Sequence, residues 1–386
     1  MFRHIIFLYS ALHVGDTGHV NQVFKTLGSL QPVERIDLDT ADPDLTNHFT
    51  AATKYAEIPC LVYAAGEAGL KALTQLHQMN FLNSNIYLAF GIHQMMGGMN
   101  ELPITHLIIP EAALSVAPVK PNAPHVTPIF GVPTANPTLQ ELELAYKNWN
   151  ISDKPALDHK WIIVMLPGDA PDTDGKMAYF TPESATDLFL RMQELWARLG
   201  KVHGVLIHNG PRTGKYDLRT GSVKCTYRGD IDDVSKHFLE LMKQSKIKHH
   251  FYPFEFLPSG TSIVGKSVYN PLLYLATQGK NNYFLIPGES VSFLTQVPLY
   301  VRPERGIVFF PSSINPVHHA VFEKAFEKGY LSYFSQNGAV IQPSKPQQRH
   351  DTDTIMVVKA LMDGYAEGIK VSEPQEEPST CEIRPL

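Results

Sequence analysis

Short apolar runs alternate with helix-period stretches along most of the chain. Ile5–Tyr9 is a compact apolar run, Gly15-Asp16-Thr17-Gly18 reads as the turn after it, and Val20 to Leu27 follows helical spacing. Pro59–Ala64 reads as the next buried strand, with Gly66 and Gly69 in its turn and a helix over Leu70–Met79. Asn85–Phe90 and His106–Ile109 repeat the strand pattern. Such a series predicts a parallel sheet covered on both faces. A second series opens with Trp161–Leu166 and the turn Pro167-Gly168-Asp169. Thr181 is placed to cap a helix running to Leu199, with Pro182 at its first position. Val202–His208, His249–Phe256 and Tyr283–Ile286 read as strands; Val234–Ser245, Ser290–Thr295, Val317–Lys328 and Ile355–Gly368 read as helices.

Between the two series, Pro121, Pro124, Pro128, Pro133 and Pro137 interrupt regular structure before a helical stretch, Thr138–Lys147. The pattern therefore predicts an α/β protein of two doubly wound, Rossmann-like parallel-sheet domains facing an interdomain cleft. The expected division is residues 1–135, a connection at 136–160, a nucleotide-binding domain at 161–370 and a disordered tail at 371–386. In doubly wound sheets ligands bind beyond the carboxyl ends of the strands. The loops entering helices are thus the places to search for chemistry.

Composition narrows the classes. With 386 residues, 44% of them apolar and 18% charged, the chain has material for two cores. A net charge of −5 gives no general attraction for nucleic acid. Cys60, Cys225 and Cys381 are far apart, which fits neither a disulfide framework nor a structural zinc site and points to a reducing, cytoplasmic compartment. The opening apolar run is too short for a signal-peptide core, and no run reaches the roughly 18 residues of a membrane span.

Three loops carry candidate chemistry. In the first, Gly15 to Gln22, two glycines permit close backbone approach and the following helix offers free amides to an anion. Gly15, Thr17, Gly18 and Asn21 are the expected contacts; a plain tight turn is the alternative. Asp16 reads as a catalytic carboxylate or a helix cap. The second loop is Asn209-Gly210-Pro211-Arg212-Thr213-Gly214. Arg212 and Thr213 between glycines suit bidentate phosphate binding, against the alternative of a surface turn. The third, Gly288-Glu289-Ser290-Val291-Ser292, joins a strand to a helix. Glu289 can accept from ribose hydroxyls, and Ser290 or Ser292 can hold phosphate; a helix cap that binds nothing is the alternative. His249-His250 and His318-His319 read as solvated or core-edge histidines, and Asp172/Asp174 and Asp351/Asp353 as polar loop residues, not metal ligands. There is no GxSxG elbow.

In order, these loops resemble the mitochondrial fission Elm family, which is related to two-domain glycosyltransferases of the B type. Gly15-Asp-Thr-Gly18-His19-Val-Asn21-Gln22 resembles the family's Gly-x-x-Gly-His-x-Asn-Gln, and His125 to Pro133 the segment entering its second domain. Asn209-Gly-Pro-Arg212-Thr213 is similar to its Ser-x-Arg-Thr loop. Asn270-Pro271 with Gly288-Glu289-Ser290-Val291-Ser292 is similar to its Asn-Pro and Asp-Ser-Val-Ser pair, with Glu for Asp. Where the family usually places arginine after the second strand of its first domain, this chain has Ala65-Gly66-Glu67-Ala68-Gly69. The resemblance implies a B-type glycosyltransferase-like fold and a nucleotide-sugar-like ligand. The Glu-rich end, closing on Ile383-Arg384-Pro385-Leu386, resembles the translocation signals of bacterial effectors sent into host cells, where mitochondria are one place of action.

The functional expectation is an enzyme of the glycosidic bond that needs no cofactor. Glu289 holds the ribose; Arg212, Thr213, Ser290 and Ser292 hold the diphosphate; Asp16 or Glu67 acts across the cleft. Removal of ADP-ribose from a modified host protein is the leading expectation, and glycosyl transfer from a nucleotide sugar the alternative. A non-catalytic nucleotide-sugar-binding module and a scaffold are the competing classes.

Overall fold

The computed structural model describes residues 2–11, 14–56, 60–83, 85–117, 119–172, 174–214, 217, 219–220, 231–254, 267–278, 282–351 and 353–372. Its first sheet is formed by β1 (His4–Tyr9), β2 (Glu34–Asp39), β3 (Cys60–Ala65), β4 (Ile86–Gly91), β5 (His106–Pro110) and β6 (His125–Ile129), and the helices between them are α1 (Val14–Leu30), α2 (Leu45–Tyr55), α3 (Gly66–Gln78) and α4 (Glu111–Val116). The strand order is β2-β1-β3-β4-β5-β6, all parallel.

Alternation along β1 explains why both faces are covered. Ile6 and Leu8 join one core with Phe49 of α2 and Leu73 of α3. Ile5, Phe7 and Tyr9 join the opposite core with Val20, Val23 and Leu27 of α1.

The second part contains α5 (Leu139–Lys147), β7 (Trp161–Met165), a small hairpin of β8 (Ala170–Pro171) and β9 (Met177–Ala178), α6 (Pro182–Leu199), β10 (Gly204–His208), α7 (Asp233–Gln244), β11 (His249–Tyr252), α8 (Tyr269–Gln278), β12 (Tyr283–Pro287), α9 (Val291–Gln296), β13 (Gly306–Phe309), α10 (Pro316–Glu327), β14 (Ser332–Phe334) and β15 (Val340–Ile341). Its sheet runs β11-β10-β7-β12-β13-β14-β15, parallel except for the last pair. This is the Rossmann order, with its reversal between β7 and β12. Ile162 and Val164 face the core under α6 and α7; Ile163 and Met165 face the one under α8, α9 and α10. Thr181 caps α6, its hydroxyl accepting from the Ser184 amide at 3.3 Å, as the sequence predicts. The two-domain, doubly wound α/β architecture is therefore observed.

Three features differ from the sequence expectation. First, Gly15 to Gly18 form the first turn of α1, not a turn before it; low glycine helix propensity hid a helix held by Val20, Val23 and Leu27 beneath it. Second, α5 packs on α8 and is part of the second unit, with Leu142 and Trp149 in its core. Third, the last helix, α11 (Thr354–Ser372), returns to the first sheet, where Val357, Val358, Leu361 and Tyr365 lie against the face that holds Ile5 and Phe7. The sequence grouped that helix with the second series. Residues 373–386 of the expected tail, together with Cys225 and Cys381, lie outside the described residues.

The chain crosses between the two parts twice, and the crossings are tied together. The Phe130 amide donates to Asp353 Oδ2 at 2.9 Å, and Arg349 pairs with the same oxygen at 3.1 Å. The Arg349 guanidinium lies over the Phe130 ring and donates to the Thr295 carbonyl of α9 at 2.8 Å. Thr295 Oγ1 accepts from Val132 N at 3.3 Å. Among the described residues no helix is long and apolar enough to cross a membrane.

Candidate functional site

The carboxyl ends of both sheets meet. A methyl group built on Gly15, in the first turn of α1, would lie 3.8 Å from Ser292 Oγ in α9. The first and third sequence loops therefore face each other across the cleft, and each stands at its sheet's switch point: β1/β3 in the first sheet, β7/β12 in the second.

On the first side, the Asp16 carboxylate sits against Gly66, so that a methyl group added there would fall on it. Gly66 has φ +70°, a conformation that glycine adopts without cost. Glu67 follows in the first turn of α3. The two carboxylates proposed from sequence thus come from neighbouring helix starts, where a negative charge is favoured. Behind them, His19 Nε2 and the Tyr63 hydroxyl are 2.6 Å apart, both buried and packed on Gly91. Burial holds the His19 imidazole down at about 3, so this residue is a neutral support and not a proton carrier near neutral pH.

On the second side, Glu289 is 3% exposed. Its Oε1 accepts from the Gly168 amide at 2.7 Å, linking the loops after β7 and β12. Its Oε2 has no hydrogen-bond partner among the described residues. Burial pushes this carboxyl up to about 7, opposed by the Gly168 amide and the nearby Arg212 charge. The Gly168 carbonyl accepts from Ser313 Oγ at 2.8 Å, and Arg212 packs against Gly168 through its Cβ. The Arg212 side chain is exposed and makes no hydrogen bond or ion pair with another described residue. The hydroxyls of Ser290 and Ser292 likewise make no hydrogen bond with another described residue. Gly288 is required by packing: a methyl there would meet the Phe309 carbonyl at 2.9 Å.

Several expected contacts are spent inside the protein. Asn209 is buried, donates to Asp232 Oδ2 at 3.0 Å and accepts from the Phe254 amide at 2.7 Å. The Thr213 hydroxyl accepts from Gly210 N at 2.9 Å and donates to the Leu166 carbonyl at 3.4 Å. Asn209, Gly210 and Thr213 therefore shape the loop that presents Arg212. Asn21, two turns into α1, accepts from Arg35 Nη1 at 2.7 Å beside Asp37. The Thr17 hydroxyl is buried without a partner among the described residues, and the space beside Gly18 is open.

Four polar residues absent from the sequence reading, or read otherwise there, lie buried or half-buried where the two parts meet. His93, just after β4, stacks on His318 of α10 with ring centroids 5.6 Å apart. His318 is 2% exposed, which corrects its reading as a solvated or core-edge histidine. Beside them Asn315 Nδ2 donates to Gln94 Oε1 at 3.0 Å, and Gln94 Nε2 to the Asp172 carbonyl at 3.3 Å. No local signal marks these residues, because Gln94 and Asn315 are separated by 221 positions. Burial, and then the Arg212 charge, lower His93 to about 4. Burial, His93 and Arg212 lower His318 as well. Both imidazoles are neutral at neutral pH.

Asp172 accepts the amides of Asp174 and Lys176, and Asp353 serves the Arg349 clasp. Among the described residues no group of three or more His, Cys, Asp or Glu is placed to hold a metal ion.

No protein-family model matches the chain. No curated protein matches it either. Solved structures similar in fold include a UDP-GlcNAc 2-epimerase from Neisseria meningitidis bound to UDP-GlcNAc, 10% identical, with 93% of this chain and 100% of that chain covered and a TM-score of 0.43. A structure described as trehalose-6-phosphate from E. coli bound with UDP-2-fluoro glucose is 9% identical over 94% of this chain and 96% of that one, with a TM-score of 0.41. An α,α-trehalose-phosphate synthase (UDP-forming) from Burkholderia xenovorans in complex with glucose-6-phosphate is 11% identical, covering 94% and 96%, with a TM-score of 0.38. At these scores the likeness adds nothing to the strand order itself.

Proposed function

We propose that the cleft binds a nucleotide-diphosphate sugar and that the protein transfers its glycosyl group to an acceptor held by the first domain. The observation that carries this reading is the pairing of an uncommitted cation, Arg212, with an uncommitted buried carboxyl oxygen, Glu289 Oε2, at the switch point of a Rossmann-ordered sheet. Arg212 suits a diphosphate in bidentate fashion. Glu289 Oε2 suits a ribose hydroxyl, which supplies the missing hydrogen bond. Ser290 and Ser292 stand next to this pair. Across the cleft Asp16, with Glu67 behind it, is the carboxylate that activates the acceptor hydroxyl. The Elm-like motif pieces support the same reading, since Gly15, Arg212 and the Gly288–Ser292 stretch are far apart in sequence and share one cleft.

Hydrolysis of an ADP-ribosyl bond uses the same ribose and diphosphate contacts, and among the described residues of the cleft none favours water over a hydroxyl acceptor. The ligand panel separates the two. Thermal unfolding is followed with UDP-glucose, UDP-N-acetylglucosamine, GDP-mannose, NAD and ADP-ribose. A ligand at a hundredfold excess over Kd adds about 2.7 kcal/mol of stability. The transfer reading expects stabilisation by a nucleotide hexose, lost in Arg212→Ala and weakened in Glu289→Gln. Stabilisation by ADP-ribose alone turns the assignment to hydrolysis. No stabilisation by any of them overturns the nucleotide-sugar reading.

A further inference from the structure

We propose that His93 and His318, together with Arg212, form a phosphate subsite that is complete only when the two domains are closed on each other. The inference rests on the nucleotide reading of the cleft and adds the groups that read the diphosphate and what their placement does.

The geometry is unusual for packing residues. His93 comes from the end of a first-sheet strand and His318 from the first turn of α10 in the second unit, yet their rings stack at 5.6 Å and 22°. His318 is 2% exposed and its Nδ1 has no hydrogen-bond partner among the described residues. A buried imidazole nitrogen left unpaired costs free energy that a ligand atom can recover. The charge next to the pair is Arg212, which is itself uncommitted. Arg212 has the partly protonated Glu289 carboxyl near it but no ion pair with another described residue; each neutral ring brings one N–H donor, and the guanidinium brings a fork of them. A phosphate dianion answers all three.

The surrounding bonds hold the rings at the boundary. Asn315 caps α10 by accepting from the His318 amide at 2.8 Å, and its amide group bridges to Gln94, the residue after His93, and to the Pro171 carbonyl at 3.1 Å. Each domain thus aims its own imidazole through the same polar bridge. A phosphate bound there touches both domains and favours closure by its differential contact with the closed state. Specificity follows: the subsite reads the second phosphate of a nucleoside diphosphate, and a monophosphate reaches only part of it.

The test is calorimetric titration of UDP, ADP, GDP, the matching monophosphates and inorganic phosphate into the full chain and into His93→Ala, His318→Asn and Arg212→Ala. Thermal unfolding of each variant confirms the fold; His93 lies at the domain boundary, so its variant serves if His318→Asn does not fold. Loss of a hydrogen bond to a charged phosphate weakens the diphosphate by about tenfold or more. The expected result is that loss in both histidine variants, with the monophosphate changed by less than about threefold and the ligand-induced fall in radius of gyration reduced. If the wild type binds a nucleoside diphosphate and both histidine variants keep it within about twofold, the rings only pack, and the proposal is overturned while the nucleotide reading stands. If inorganic phosphate binds the wild type but not the histidine variants, and no nucleotide binds, the subsite stands and the nucleotide reading falls. If neither phosphate nor nucleotide binds, both fall.

Discussion

At the mouth of the first sheet Asp16 lies against Gly66 and Glu67 opens the next helix, so carboxylates face the cleft. At the mouth of the second sheet Arg212 stands without an ion partner among the described residues, over a Glu289 whose carboxyl burial has pushed up to about 7. Both mouths are doubly wound switch points offering helix starts to a ligand. They differ in the sign of what they present. On the proposed reading, the first suits proton transfer from a hydroxyl and the second suits phosphate, beside a carboxyl whose pKa burial has raised. Strand order alone therefore does not say which half holds a nucleotide. The proposed assignment rests instead on which side chains stand at the strand ends.

The comparison can be broken at several points. The largest effect is expected from Gly66→Ala, which puts a side chain at φ +70° and onto the Asp16 carboxylate. Left-handed strain and overpacking together cost about 3–4 kcal/mol, read as a fall in urea midpoint. A change below about 1 kcal/mol would show that the first mouth is loosely built.

Next is the pH dependence of Glu289. Its folded pKa is raised above the ordinary carboxyl value of 4.5 to about 7, so the folded state holds the proton more tightly than the unfolded chain. Its stability contribution is full below about pH 4.5 and is lost as pH rises through 7. At about 1.4 kcal/mol per unit the full swing is about 3.5 kcal/mol. Subtracting the stability curve of Glu289→Gln from that of the wild type isolates it from the buried histidines, whose lowered pKa values act in the opposite sense. A flat difference would mean that Glu289 is ionised in place.

Asp16→Asn sharpens the contrast in function. It should reduce turnover about a hundredfold, in line with loss of a general base, while nucleotide-sugar affinity measured by titration stays within about threefold. Lost affinity with intact turnover would exchange the roles of the two mouths. The smallest effect belongs to Asn21→Ala. Its partner Arg35 is already held by Asp37, so stability should change by less than about 0.5 kcal/mol and ligand affinity not at all; a clear loss of affinity would return Asn21 to the site.

Much of the fold can be read in the residues because buried parallel strands are compact apolar runs. Ile5–Tyr9, Trp161–Leu166 and Tyr283–Ile286 match β1, β7 and β12 within a residue or so. Edge strand β2, Glu34–Asp39, escaped because its polar sequence is half-exposed. The sequence singles out Arg212 and Glu289 because each sits between the end of a strand and a helix or turn. Asn209 and Thr213 were placed on the ligand by the same logic, which cannot tell a residue that offers its hydrogen bonds outward from one that spends them in the loop. The stacking of His93 on His318 was invisible, since its two members come from different domains.

The return of α11 to the first sheet has a consequence for synthesis. Strands β1 to β6 are complete by residue 129, but the face holding Ile5, Phe7 and Ile108 also needs Val357, Leu361 and Tyr365. On the ribosome that face has α1 but lacks α11 while more than half the chain is still to be made, so the second unit is folded as an insertion into an unfinished first one. The N-terminal domain is the last to be completed, and its final apolar seal is made by the helix that directly follows the Arg349–Asp353 pair of the second crossing.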